Sequence, residues 1–199
     1  MNNISRILLS AAQVFFALSM FGVLASCNNP AGPNPVSPTD YLPLALGNRW
    51  VYESMATFGA SPSVQRVDSS AIVGVTVKNG KSYYLFDPSL PGWGNTSEAV
   101  RIDTDGIFFI LYGDTEIAQW SFSAATQTGL VGLVILGTND TVVTPGGTYY
   151  HCLRIGPAPS SRVAEPEMTF CPGVGLVEYR FFGVDIITQT ELVRYTLTR

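Results

Sequence analysis

From residue 40 onward the sequence predicts an all-β domain, antiparallel and built of about ten or eleven short strands. Three observations carry that prediction. No segment holds an apolar stripe at 3.6-residue spacing over eleven or more positions. The runs between turns are rich in Val, Ile, Thr, Tyr, Phe and Trp, which suit a pleated, half-buried surface. Turn residues recur at short intervals, and the strongest signal is Asn79-Gly80 between Lys78 and Lys81, because Asn-Gly tolerates the positive φ of a two-residue hairpin. Periodicity does not choose among a half-barrel, an open barrel and a sandwich.

Taken in order, Tyr41-Leu42-Pro43-Leu44 enters the domain and Gly47-Asn48 turns into a first strand at 49–57. On it Trp50 and Tyr52 share a face opposite Val51 and Glu53, since side chains alternate along a strand. A long strand at 64–77, bent at Gly74, returns through the Asn79-Gly80 hairpin along 82–86. The next loop holds Pro88, Pro91, Gly92 and Gly94, with Trp93 at its tip. Trp93 is the candidate for an exposed contact residue; the competing reading folds it back onto the sheet rim. Segments 98–102 and 107–112 form a second hairpin around Asp103-Thr104-Asp105-Gly106, and 115–122 adds a strand. The nearly continuous apolar run 130–136 is expected to be deeply buried, and Asn139-Asp140 reads as a turn. Strands at 149–155, 168–171, 176–182 and 190–198 complete the set.

Charge is sparse, at 13% Asp, Glu, Lys and Arg against a typical ~25%. Lysine occurs only at Lys78 and Lys81, histidine only at His151, and the net charge is −4. Without a cluster of basic side chains to neutralise phosphates, nucleic acid is not an expected partner. A domain of roughly 160 residues buries about two-thirds of its unfolded surface, so it needs no metal to fold.

The chain begins with a leader. Arg6 is its one basic side chain, and residues 7–24 carry no charge, a length that could span a bilayer. A stop-transfer helix would end in positive charge, but here no Lys or Arg occurs before Arg49. Instead the run ends in Leu24-Ala25-Ser26-Cys27. These four residues resemble the lipobox of bacterial lipoproteins: an aliphatic residue, two small ones that fit a protease site, and the cysteine whose thiol takes a diacylglycerol. The resemblance implies loss of residues 1–26 as a signal peptide, lipidation of Cys27, and attachment to the membrane through acyl chains, since two or three chains anchor stably where one does not. Asn28 in place of Asp favours the outer membrane, facing the periplasm, in a cell with two membranes. Residues 27–39 then form a tether, with four prolines among NNPAGPNPVSPT, reaching roughly 35–40 Å if extended. The globular domain is 40–199.

Three cysteines in an exported chain leave one over. Lipidation of Cys27 removes the oddity and leaves Cys152 and Cys171 as a candidate disulfide outside the reducing cytosol. If they face each other across an antiparallel hairpin, facing positions sum to 323, Gly156 meets Glu167, and Pro157 and Pro166 bound the loop. Prolines then stand where backbone donors are no longer needed. The alternative is two buried thiols. Cys152 and His151 make a poor catalytic pair, because neighbours on a strand point to opposite faces.

The remaining motifs are weak. Asp103-x-Asp105-Gly106 opens like a calcium loop, but Ile107 occupies the third ligand position and Asp114 the twelfth, so a tight turn is the expected reading. Pro172-Gly173-Val174-Gly175 lacks the Gly-Lys-Ser/Thr of a phosphate loop; its glycines suit a bulge or close strand packing. There is no Gly-x-Ser-x-Gly, and a lone His cannot organise zinc. No catalytic, cofactor-binding or metal residue is assigned.

Four phrases, YLPLALGNRWVYE at 41–53, VKNGKSYYL at 77–85, VTPGGTYYHCLRI at 143–155 and CPGVGLVEYRF at 171–181, together resemble a family of uncharacterised exported bacterial lipoproteins. The resemblance implies a single β-rich domain on a lipid anchor. It supplies no activity and no catalytic residue, and Cys171 stands where relatives often carry a small residue, which suggests local pairing with Cys152. The expected function is therefore non-enzymatic: a membrane-anchored cell-envelope domain binding an apolar ligand or an envelope partner. A component of an envelope protein assembly is the second reading and an envelope hydrolase the third.

Overall fold

The computed structural model describes residues 36–59, 61–93, 98–123, 133–158 and 166–198, and of 61–65 only the backbone. The leader, Cys27 and the tether up to residue 35 lie outside the described residues. The fold is all-β. Eleven strands follow in order: β1 (Arg49–Phe58), β2 (Ser61–Lys78), β3 (Lys81–Phe86), β4 (Glu98–Ile102), β5 (Ile107–Tyr112), β6 (Thr115–Ser121), β7 (Leu133–Thr144), β8 (Gly147–Pro157), β9 (Pro166–Cys171), β10 (Gly175–Phe182) and β11 (Ile186–Thr196). One 3-10 turn, Pro38–Tyr41, precedes them.

All pairings are antiparallel, in the order β6-β5-β4-β3-β2-β1-β11-β10-β9-β8-β7. Two meanders are thus joined where β1 pairs with β11, from Arg49↔Thr196 to Phe58↔Ile186. The sheet curls until its end strands, β6 and β7, approach each other without pairing, which leaves a nearly closed barrel. The Asn79-Gly80 turn closes Lys78 against Lys81 with φ of 52° and 73°, the double positive φ of a type I′ hairpin. The bend expected at Gly74 is a β-bulge, where the β2–β3 register slips between Ile72 and Gly74. Asp103 shapes the β4–β5 turn: its carboxylate accepts from the Asp105 and Ile107 amides at 3.1 and 2.8 Å.

The interior is filled with rings. Trp50 stacks on Phe86 at 5.9 Å, Phe108 on Trp120 at 4.4 Å, and Phe170 meets Phe122 edge-on at 4.9 Å. The Trp120–Phe170 contact at 6.3 Å links the two meanders across the interior. Such pairs add about 0.5–1.5 kcal/mol each beyond the area they bury. The chain ends are fastened by the buried Asn48, which donates to the Pro43 carbonyl at 2.8 Å and accepts from the Thr198 amide at 2.8 Å.

Two local expectations are corrected. Leu133–Leu136, taken from the apolar run 130–136, are only half-buried, because β7 is an end strand with a neighbour on one side alone; residues 130–132 lie outside the described residues. Asn139-Asp140 is not a turn but part of β7, where the pairing with β8 slips between Gly137 and Asp140. The chain reverses later, at Pro145-Gly146. In addition β11 begins at Ile186, earlier than the strand expected at 190–198.

Cys152 and Cys171 form a disulfide, with Cα atoms 4.2 Å apart. The expected register holds, as Leu153↔Phe170, Arg154↔Thr169 and Ile155↔Met168 are partners. The short separation is that of a non-hydrogen-bonded pair, where side chains come closest. Closing a loop with a sequence separation of 19 should stabilise the fold by about 3 kcal/mol in the chain-entropy model. Adding a strong reductant should therefore lower the melting temperature by roughly 6–12 °C. A melting curve indifferent to reductant would contradict the contribution assigned to this bond.

Candidate functional site

A cleft into the sheet's interior follows from a change of side-chain size along β1. Its inward face begins with two buried rings, Trp50 and Tyr52, and continues with Ser54 and Ala56. The neighbours on that face are small or polar: Ser70, Asp68 and Arg66 on β2, Thr190 and Thr188 on β11. Where the rings stop, the barrel is left unfilled, and a cleft of about 360 Å³ remains, within the usual range for small-molecule sites.

The walls are mixed. Tyr179 and Phe181 on β10 supply aromatic faces, and the loop Pro88–Gly92 covers one side. Ser70 holds that loop by donating to the Pro88 carbonyl at 2.9 Å. Gly92, with φ +86°, lies so close to Tyr179 that a Cβ would stand 2.1 Å from the ring; only glycine lets the loop settle on the tyrosine. Burial pushes the Tyr179 phenol upward from its ordinary pKa. Ser54 and Thr190 hydroxyls share a hydrogen bond at 2.9 Å. At the mouth Arg66 and Asp68 pair at 2.7 Å, largely in water, where such a pair adds at most about 1 kcal/mol. The cleft thus offers hydroxyls, two aromatic faces and one guanidinium.

His151 takes no part in it. It stands exposed on β8, three strands from β11, with φ +56° and Nδ1 2.6 Å from Asn139 Oδ1. Cys152 and Cys171 are buried and bonded to each other. Among the described residues no group of three His, Cys, Asp or Glu side chains could hold a metal ion. Trp93, the candidate contact residue, follows the competing reading and folds back onto the sheet. Its ring lies 4.8 Å from Phe108, 5.7 Å from Trp120 and 6.0 Å from Phe86. The aromatic interior offers that ring more buried area than an exposed loop tip could.

Two carboxylates mark opposite electrostatic solutions in β3–β6. Glu116 accepts from Arg101, from Lys81 at 2.6 Å and from Tyr83 at 2.9 Å, on the face turned away from the aromatic core. Hydrogen bonding to Arg101, ahead of the other partners, lowers its pKa to about 2. Arg101 also lies 4.0 Å over the Phe109 ring. Each member of this cluster has a partner within it, which is the mark of a structural network. Glu98 on β4 is only 7% exposed, and its Oε2 has no hydrogen-bond partner among the described residues. Burial raises its pKa to about 7.

No family model and no curated protein matches this sequence. Among solved structures, one described as "a putative lipoprotein" from Parabacteroides distasonis is similar, with 15% identity and a TM-score of 0.49 over 82% of this chain and 100% of that one. Another, described as "a putative exported protein with YmcC-like fold" from Bacteroides fragilis, has 11% identity and a TM-score of 0.48 over the same shares. At that level neither likeness bears on what this chain does.

Glu98 generates a prediction with a definite sign. Its folded pKa of about 7 lies above the unfolded value of ~4.3, so the folded state binds this proton more tightly. The stability it contributes is full below pH ~4 and is lost as the pH rises through 7. Glu98→Gln, which cannot ionise, should leave the melting temperature near that of wild type at pH 5 and raise it at pH 8.5. Equal melting temperatures at both pH values would mean that the carboxylate reaches water.

Proposed function

We propose that the chain is a lipid-anchored protein of the bacterial cell envelope whose β domain binds a small ligand without chemistry of its own. The anchor rests on Leu24-Ala25-Ser26-Cys27 at the end of an uncharged leader, with Cys27 as the lipidated residue. In a cell with two membranes, Asn28 after that cysteine favours the periplasmic face of the outer membrane.

The cleft carries the binding reading. Rings occupy the interior beside it, so an oily molecule has little room there, whereas the cleft has both hydrogen-bonding and apolar walls. The ligand class that fits is a molecule with several polar groups and one flat apolar face, laid against Tyr179 and Phe181 with Ser54, Ser70 and Thr190 on the other side. Binding fits this lining better than turnover, because its one carboxylate, Asp68, is already paired with Arg66.

Intact mass of membrane-extracted protein tests the anchor: a chain beginning at acylated Cys27 is expected, and an unmodified Cys27 with residues 1–26 retained would overturn it. Native mass spectrometry of protein extracted in mild detergent tests the cleft. Wild type should retain a small molecule that Thr188→Phe, which fills the cleft from β11, has lost while keeping its melting temperature. No retained molecule in either, or the same molecule in both, would remove the cleft from consideration.

A further inference from the structure

The end of the barrel that carries the β10–β11 turn is apolar on both of its faces. A strand with one side in the core and one in water should alternate, but the sequence there reads Phe181-Phe182-Gly183-Val184-Asp185-Ile186-Ile187. Phe58 and its partner Ile186 lie on the cleft side with Phe181, while Ile187 and its partner Phe182 lie on the outer side. Val184 at the tip is 97% exposed, Phe58 53%, Ile187 49% and Phe182 46%. Nor is the tip loosely held. The Gly183 amide donates to the Ile186 carbonyl at 2.7 Å, and the Gly59 amide donates to the Asp185 carbonyl at 3.1 Å, which fastens the neighbouring β1–β2 turn to it. Apolar side chains are thus displayed on a hydrogen-bonded support, and a contiguous exposed patch of this kind marks a docking surface.

We propose that this tip dips into the headgroup–acyl boundary of the bilayer to which the chain is anchored. The inference rests on the anchored reading of Cys27. Two observations favour lipid over a protein partner. A protein interface covers one face and leaves a polar rim, whereas here apolar side chains stand on both faces and at Val184 in the turn, with the exposed Asp185 as the turn's one charged side chain. The second is the geometry of the tether. The chain enters the domain at the opposite end of the barrel, where the Asp40 carbonyl accepts from the Gly173 amide just before β10 begins. β10 then runs eight residues to Phe182, roughly 25 Å at strand spacing. The proline-rich stretch from Cys27 to Pro38 spans about 35 Å at polyproline rise. The chain outside the structure is therefore long enough to lie back along the barrel and let the tip and Cys27 share one membrane. Residues 181–187 contain no Lys or Arg and one acidic residue, the exposed Asp185, so insertion is driven by apolar contact with that carboxylate kept at the headgroup level, and it does not need anionic lipid. Docked in this way, the cleft side of Phe58 and Phe181 faces the lipid–water boundary.

The test uses the full processed chain in vesicles of phosphatidylcholine, with and without bromine on the acyl chains. Native Trp50 and Trp120 are buried and Trp93 is half-buried, so wild type sets the background. Val184→Trp should show blue-shifted emission that brominated lipid quenches at least twofold beyond wild type. Leu46→Trp, an exposed position at the other end of β1, should show no added quenching. An unquenched, water-like Val184→Trp in vesicles that still carry the protein overturns the proposal, as does equal quenching at both positions. Protein that does not stay with the vesicles overturns the anchored reading instead.

Discussion

The turn between β9 and β10 is gripped from three directions, and Trp50 supplies the decisive hold. The fully buried indole donates to the Val174 carbonyl at 2.6 Å, across a sequence separation of 124, and Tyr52 does the same to the Leu176 carbonyl at 3.1 Å. Between these carbonyls stands Gly175, with φ +107°, where a Cβ would lie 3.0 Å from the indole nitrogen. The Cys152–Cys171 bond fixes the start of the turn, and the Asp40 carbonyl takes the Gly173 amide at 2.8 Å. A buried carbonyl left without its donor costs about 1–3 kcal/mol. So the first strand, the entry segment and the disulfide all depend on one turn, which joins two meanders into one interior.

Once that interior exists, its volume has to be filled, and β1 divides it. Near Trp50 the space is taken by rings, with Phe86, Phe108, Trp120 and Phe170 in contact from one side to the other. Trp93 belongs to this group, so the loop that carries it is drawn inward and Pro88–Gly92 become the roof of the cleft. Past Tyr52 the inward side chains shrink to Ser54 and Ala56, and hydrogen-bonding groups replace rings. The cleft and the core are thus two consequences of one alternating strand, distinguished only by residue size.

Much of this fold could be read from the sequence, because local signals were strong. The Asn79-Gly80 hairpin, the bulge at Gly74 and the 323 register of the disulfide hairpin all follow from short-range chemistry. The Gly173-Val174-Gly175 glycines serve the close packing expected of them, although nothing local names Trp50 as the partner. The cleft was not legible. Ser54, Ser70, Thr188 and Thr190 read as ordinary strand polar residues, and they share a wall only because β1 pairs with both β2 and β11, a pairing across more than a hundred residues. The described part of the apolar run, 133–136, misled for a related reason: burial depends on what packs on each face of the strand, and Leu133–Leu136 on β7, an end strand, are only half-covered. The exposed apolar tip was visible as FFGVDII, yet alternation had no bearing on which side of such a segment water would occupy.

The open seam between β6 and β7 raises the question of whether a partner strand closes the barrel there, since end strands carry unpaired backbone groups. The geometry of β7 argues against it. Its pairing with β8 slips three times, between Ile135 and Gly137, Gly137 and Asp140, and Asp140 and Val142, and each slip turns the unpaired groups out of line with a straight incoming strand. Opposite the last slip, His151 takes a positive φ of 56° and lies against Asn139. The Asp140 carboxylate fills the space where Gly137 lacks a side chain and is held by Arg154 at 2.9 Å. A charge-assisted contact of this kind fixes the irregular backbone on which it sits. Strand addition would have to straighten all of it for a few ladder hydrogen bonds. Among the described residues the seam is therefore shaped against strand addition, and the surfaces that keep their shape without rearrangement are the cleft beneath Pro88–Gly92 and the apolar tip at Val184.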